Sequence, residues 1–263
     1  MISFSDTNHV RRIALDDPSS FNGISEALVA AATECLNEAM NNNDIRAVIL
    51  TGNGKFFSAG GNLKNFMSQT IPMDDYISDA MEKVYNPFGR LLRSLPKPLV
   101  TAVNGPAIGA GVGLALSGDI CLMAKSAYFS LPFVPKLGVV PDMGASWLIT
   151  RSLNYNQALA LTLTGEALSA SDAAAAGMVW RCYDDAELAD AAQQLAEQLA
   201  QSSPAAIRRS KELLRAATVN SYEQQLELER ELQTSSFGGA AFKEGLRAFS
   251  ERRNPDFIAH GDE

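Results

Sequence analysis

Apolar residues fall in short runs through the first half of the chain. Val10 to Leu15, Ala47 to Thr51, Leu99 to Val103 and Asp119 to Ala124 are each brief, apolar and followed by a turn or a helical stretch, which predicts strands. In Ser25 to Met40, Asp75 to Ser94 and Gly111 to Ser117 the apolar spacing is nearer to about 3.6 residues than to 2, so these segments read as helices. Strands alternate with helices, and an α/β core follows.

Between Lys97 and Asp119 no charged residue occurs, a length of about 20 residues that could be mistaken for a membrane span. Its interior argues otherwise. Asn104-Gly105-Pro106 is a turn signal and Gly109, Gly111 and Gly113 follow it, so the stretch reads as buried strand, tight turn and buried helix. Strand signals fade near Tyr155. Ala, Gln, Glu and Leu dominate Asp184 to Ala217 and Tyr222 to Phe249, which predicts a helical last third broken at Ser202-Ser203-Pro204 and at Phe237-Gly238-Gly239.

Hydrophobic residues make up 46% and charged residues 20%, the composition of an ordinary folded protein. The net charge of −8 argues against nucleic acid as a partner and requires any anionic ligand to be met by local contacts. Cys35, Cys121 and Cys182 are odd in number and far apart, which fits neither a disulfide framework nor a metal site. The expected compartment is the reducing cytoplasm, since Asp6, Arg11, Arg12, Asp16 and Asp17 interrupt the first twenty residues where a secretion signal would be apolar. His9 and His260 lie at the chain ends, which weakens any Ser-His-Asp or histidine-metal reading.

Two segments share one design. Lys55-Phe56-Phe57-Ser58-Ala59-Gly60-Gly61-Asn62-Leu63 follows an apolar strand and precedes a short helical stretch, and Val103-Asn104-Gly105-Pro106-Ala107-Ile108-Gly109-Ala110-Gly111 repeats that order. Small residues let the backbone approach a ligand, and N–H groups at a helix start point outward toward negative charge. Two converging donors of this kind suit acyl chemistry, where an oxyanion or enolate is stabilised by hydrogen bonds fixed before the charge develops. Dinucleotide and phosphate-loop motifs do not fit: Gly109-x-Gly111-x-Gly113 has the wrong spacing and GxxxxGK[ST] is absent.

Ser58 to Leu63, Lys97 to Gly111 and Leu137-Gly138-Val139-Val140-Pro141-Asp142 together resemble the crotonase family of enoyl-CoA hydratases and isomerases. Leu163-Thr164-Gly165, Ala173 to Gly177 and Glu244-Gly245-Leu246-Arg247-Ala248-Phe249 extend the likeness over most of the chain. The resemblance implies a spiral of ββα units over residues 1–200 and a helical region over 201–263 that packs on neighbouring subunits as a homotrimer or dimer of trimers. It also implies an acyl-CoA substrate, with coenzyme A as part of the substrate and no separate cofactor or metal. Matched by position, the oxyanion donors are the N–H groups of Gly61 and Ala110, with Ala59, Gly60, Asn62, Leu63, Phe66, Gly109, Phe133, Val134 and Leu137 near the substrate. Ser20, Phe21, Lys55 and Lys64 fall near the family's CoA contacts, and Arg252 and Arg253 are placed to reach a neighbouring subunit's ligand.

Hydratases of this family use two glutamates, and here those positions are Gly113 and Val134. Asp142 stands where the family's isomerases carry an acid, and one carboxylate suffices to move a double bond by taking a proton from C2 and returning it at C4. Phe133, Val134, Val139, Val140, Met143 and Trp147 are expected to raise its pKa by sheltering it. Read without the resemblance, Pro141-Asp142 is a helix start and Asp142 its cap. Asp119 reads as structural, Asp74-Asp75 as a helix start, and Asn62 replaces the family's usual aspartate. Phe66, Met67, Ile71, Met73, Tyr76 and Met81 are candidates to line an acyl slot. The expected activity is isomerisation of a 3-enoyl-CoA to the 2-enoyl-CoA. The alternatives are hydration, a ring-modified CoA thioester, and a non-catalytic acyl-CoA-binding subunit.

Overall fold

The computed structural model describes residues 1–260, and its first elements are two strands, β1 (Ile2–Thr7) and β2 (Val10–Leu15), paired antiparallel across Asn8-His9. Helix α1 (Glu26–Asn41) begins at Ser25, whose hydroxyl accepts from the Leu28 N–H. Leu28, Val29, Ala32, Cys35, Leu36 and Ala39 recur every three or four residues and form its buried stripe. Strand β3 (Ala47–Gly52), buried throughout, leads through the first glycine segment to α2 (Leu63–Met67), α3 (Met73–Ala80) and α4 (Asn86–Ser94).

The helix expected over Asp75 to Ser94 is thus divided. Met81–Tyr85 forms a π turn between α3 and α4, in which the Asn86 N–H reaches back to the Met81 carbonyl. Pro87 explains the widening: it has no N–H to continue the ladder, and its ring crowds the carbonyl four residues back.

The charge-free stretch is built as β4 (Leu99–Val103), β5 (Ala107–Ile108) and α5 (Ala110–Leu116), whose residues Ala110 to Ala115 are all buried. Then come β6 (Ile120–Ala124), β7 (Tyr128–Ser130), a π turn at Phe133–Leu137, α6 (Ala145–Ser152), α7 (Tyr155–Thr164), β8 (Leu168–Ser169), α8 (Ala170–Ala175) and β9 (Arg181–Tyr183). Helices α9 (Leu188–Ala200), α10 (Pro204–Ala216), α11 (Tyr222–Phe237), α12 (Ala240–Glu251) and α13 (Phe257–His260) complete the helical last third. Among the described residues no helix is long and apolar enough to cross a membrane.

The main sheet runs β1-β2-β3-β4-β6-β9, parallel from β2 onward, and the smaller runs β5-β7-β8. Isolated bridges between Ile24 and Gly61 and between Ser58 and Ala107 carry the second layer across both glycine segments. Asp119 is structural as expected: it accepts from the Leu99 N–H and from Lys211 and Arg215, tying α10 to the start of β4. Glu244, buried in α12, accepts from Arg247, Arg253 and the Asp256 N–H, and these donors pull its carboxyl down to about 2. Arg253 is held by Glu244 within its own chain, while Arg252 is exposed at φ +55°.

Candidate active site

The second layer brings the two glycine segments side by side. Gly60 adopts φ +86°, and a Cβ there would stand 2.5 Å from the Ile108 carbonyl oxygen, so only glycine allows the two turns to approach. The Ile24 N–H donates to Gly60 O and the Asn62 N–H to Ile24 O, which leaves the Gly61 N–H directed away from that bridge. Gly109, at φ +55° and ψ −123°, ends its strand by donating to Ser130 O, and Ala110 opens α5. Among the described residues neither the Gly61 nor the Ala110 N–H meets a protein acceptor. Such a pair can hold a developing oxyanion.

Asp142 arrives from the other side. A Cβ on Gly113 would lie 2.5 Å from the Met143 carbonyl oxygen, so the loop carrying Asp142 rests on α5 three residues, about 4.5 Å of helix rise, beyond Ala110. Met143 and Gly144 both turn left-handed, at φ +48° and +74°, a strained pair for a buried methionine. Asp142 does not cap α6: Gly144 occupies the cap position without a side-chain bond, and only the Asp142 carbonyl accepts, from Ala145. Its Oδ1 is buried with no hydrogen-bond partner, and burial pushes the carboxyl up to about 6. The expected direction holds, but not all of the expected shelter: Phe133 and Met143 are buried, whereas Val134, Val139, Val140 and Trp147 are exposed. Gly113 has no room for a side chain while that loop stays in place.

The sequence profile of enoyl-CoA hydratases and isomerases matches residues 5–260. The chain belongs to the enoyl-CoA hydratase/isomerase family. It is 40% identical over 94% of both chains to the 1,2-epoxyphenylacetyl-CoA isomerase of Escherichia coli, and 32% identical over 93% of both to a probable enoyl-CoA hydratase of Rhodobacter capsulatus. The crystal structure of an enoyl-CoA hydratase from Polaromonas sp. JS666 superimposes with a TM-score of 0.92 at 33% identity, covering 97% of this chain and 98% of that one. The fold is accordingly the crotonase fold.

Around the paired N–H groups of this family member, Phe66 stands against Gly61, to which a Cβ would bring its ring within 3.1 Å, and packs edge-on against Tyr76 with centroids 6.1 Å apart. Phe133 lies over Gly109. Leu63, Val134 and Leu137 are exposed at the rim, and Ala59 is half-buried. Asn62 caps α2 by accepting from the Asn65 N–H, which accounts for its side chain locally. Of the acyl-slot candidates, Tyr76 is buried and Phe66 and Met81 half-buried, but Met67, Ile71 and Met73 face solvent.

Phe21 meets Phe56 with centroids 4.9 Å apart, beside the exposed Lys55, so two of the residues expected near the CoA contacts, Phe21 and Lys55, share one surface. The Ser20 hydroxyl donates to Asp17 at 2.6 Å and accepts from the Gly23 N–H within its own turn. Lys64 is exposed on α2. Sequence reasoning missed Tyr85, which with Gly113, Leu114, Met143 and Gly144 lines a cavity of about 440 Å³. Its signal was faint, a tyrosine two residues ahead of a proline inside a helix. Among the described residues no cluster of His, Cys, Asp or Glu could hold a metal ion.

Proposed function

We propose that this protein isomerises enoyl-CoA thioesters, moving a double bond from C3 to C2 through an enolate. The observation that carries the reading is Asp142, a single shielded carboxyl with an unpartnered oxygen and a pKa raised to about 6, on a loop that rests on α5 at Gly113, three residues beyond Ala110. Held there, the thioester oxygen accepts from Gly61 and Ala110. Asp142 takes a proton from C2, negative charge moves onto the oxygen, and the same carboxyl returns the proton at C4. A pKa near 6 leaves it ionised at neutral pH yet more basic than a free carboxylate, which suits removal of a carbon-bound proton. Gly113 and Val134 supply neither of the glutamates that hydratases of the family use to orient water, and Gly113 cannot gain one while Met143 keeps its place. The isomerase name of the relative at 40% identity supports the same choice. Coenzyme A enters as part of the substrate, and the expected assembly is a homotrimer or dimer of trimers.

The test is the ultraviolet absorbance of a conjugated enoyl thioester. Wild type added to a 3-enoyl-CoA should raise it, and Asp142→Ala should lower the rate by about 10³-fold. A fall in absorbance from a 2-enoyl-CoA would mean hydration instead. Unchanged turnover in Asp142→Ala would remove the carboxylate from the reaction.

A further inference from the structure

The first glycine turn continues into α2, a helix of five residues with no buried position, too short to keep its shape by its own hydrogen bonds. Contacts outside it do that. Asn65 Nδ2 donates to Tyr76 Oη at 3.1 Å, Tyr76 Oη donates to Glu26 at 2.7 Å, and the Phe66 ring packs edge-on against that of Tyr76. Phe66 in turn stands against Gly61, within 3.1 Å of where a Cβ would be.

Glu26 is the first residue of α1, two positions after Ile24, whose N–H and carbonyl bridge Gly60 and Asn62. The start of α1 therefore reaches Gly61 from two sides. Ile24 holds its backbone neighbours, and Glu26 holds its cover through Tyr76, Asn65 and Phe66. The bond at the centre is a strong one, because a carboxylate accepts it from a buried phenol, and burial and Glu26 together raise the Tyr76 pKa so that the donor keeps its proton. The proposed reaction uses neither Glu26 nor Tyr76.

Resting on the isomerase reading above, we propose that Glu26 is a positioning residue for the Gly61 donor: through Tyr76 and Asn65 it holds Phe66 against Gly61, so that the Gly61 N–H meets the thioester oxygen as charge develops there. Glu26 neither touches the substrate nor moves a proton. Its removal weakens a hydrogen bond that is strongest in the transition state, so the loss falls on kcat rather than on KM.

Glu26→Ala is the direct test, since Tyr76 also interacts with Tyr85 and the alanine leaves both phenols in place. On a 3-enoyl-CoA it should lower kcat about 10-fold with KM changed less than about twofold. Glu26→Gln, whose amide oxygen still accepts from Tyr76, should recover most of the rate. Tyr76→Phe keeps the ring against Phe66 and loses the hydroxyl. It should match the loss in Glu26→Ala, and the double variant should lose no more, because both act through one bond. Unchanged kcat in Glu26→Ala, a loss confined to KM, a glutamine variant as slow as the alanine one, or losses that multiply would overturn the proposal. The infrared carbonyl band of bound hexanoyl-CoA, isotope-labelled at the carbonyl carbon, reads the donor without turnover. Wild type should shift the band below its position in water, and saturated Glu26→Ala should give back part of that shift. Equal bands in the two proteins, or no shift in wild type, would overturn the proposal. If wild type left the 3-enoyl-CoA unchanged yet shifted the band, and Glu26→Ala reduced the shift, the isomerase reading would fail and the assignment of Glu26 would stand.

Discussion

The two glycine turns are built alike and buried differently. The first runs from Ser58 into α2, a five-residue helix with no buried position, flanked by exposed Leu63 and Met67 and held at its start by the Asn62 cap. The second runs from Ile108 into α5, where Ala110 to Ala115 are all buried. One donor is therefore set in the core and the other near the rim. On the proposed reading, a ligand enters past the first turn while the second keeps the geometry fixed.

The sharpest way to break this pairing is Ala110→Pro. Position 110 is the first of its helix, where proline's fixed φ is tolerated and only the N–H is lost, and Gly109 has no Cβ to collide with the ring. Isomerase kcat should fall about 10²- to 10³-fold with little change in Tm, and full activity would show that this donor is dispensable. Gly60→Ala attacks the contact between the turns. A Cβ 2.5 Å from the Ile108 carbonyl oxygen, at φ +86°, should cost about 2–3 kcal/mol in urea unfolding and reduce activity with it.

A smaller effect concerns the charge on Asp142. Because the folded pKa of Asp142 is raised from 3.8 to about 6, its contribution favours the fold below about pH 4 and is lost as pH rises through 6. Asp142→Asn should then be more stable than wild type by about 1–2 kcal/mol at pH 8, and the gap should close toward pH 4. In wild type, kcat/KM should climb with pH up to about 6 and level off above it, since the base must be ionised. The smallest effect belongs to the rim: Asn62→Ala removes a cap and should cost about 1 kcal/mol with kcat changed less than about twofold.

Where burial follows periodicity, the sequence was readable. β2, β3, β4 and β6 are short apolar runs, α1 carries an apolar stripe, and α5 is apolar or small throughout, so each follows from its own residues. β1 was not anticipated because Ser3, Ser5 and Asp6 make it a polar edge strand, and β5, β7, β8 and β9 have two or three residues each, too few for any period to show. The glycine turns and Asp142 were legible because their chemistry is local. The shelter around Asp142 was only partly so, since the left-handed pair at Met143 and Gly144 redirects the chain and leaves Val139 and Val140 facing out. Tyr85 depends on a helix irregularity, which has no periodic signature.

The π turn at Met81–Tyr85 amounts to one residue too many for a regular ladder. The widened turn absorbs that surplus, so α4 keeps its phase relative to α3 although one more residue lies between them. Tyr85 is thus placed beside Gly113 and Met143 by that surplus as much as by its residue type: its seat in the cavity wall depends on a residue the regular ladder does not need.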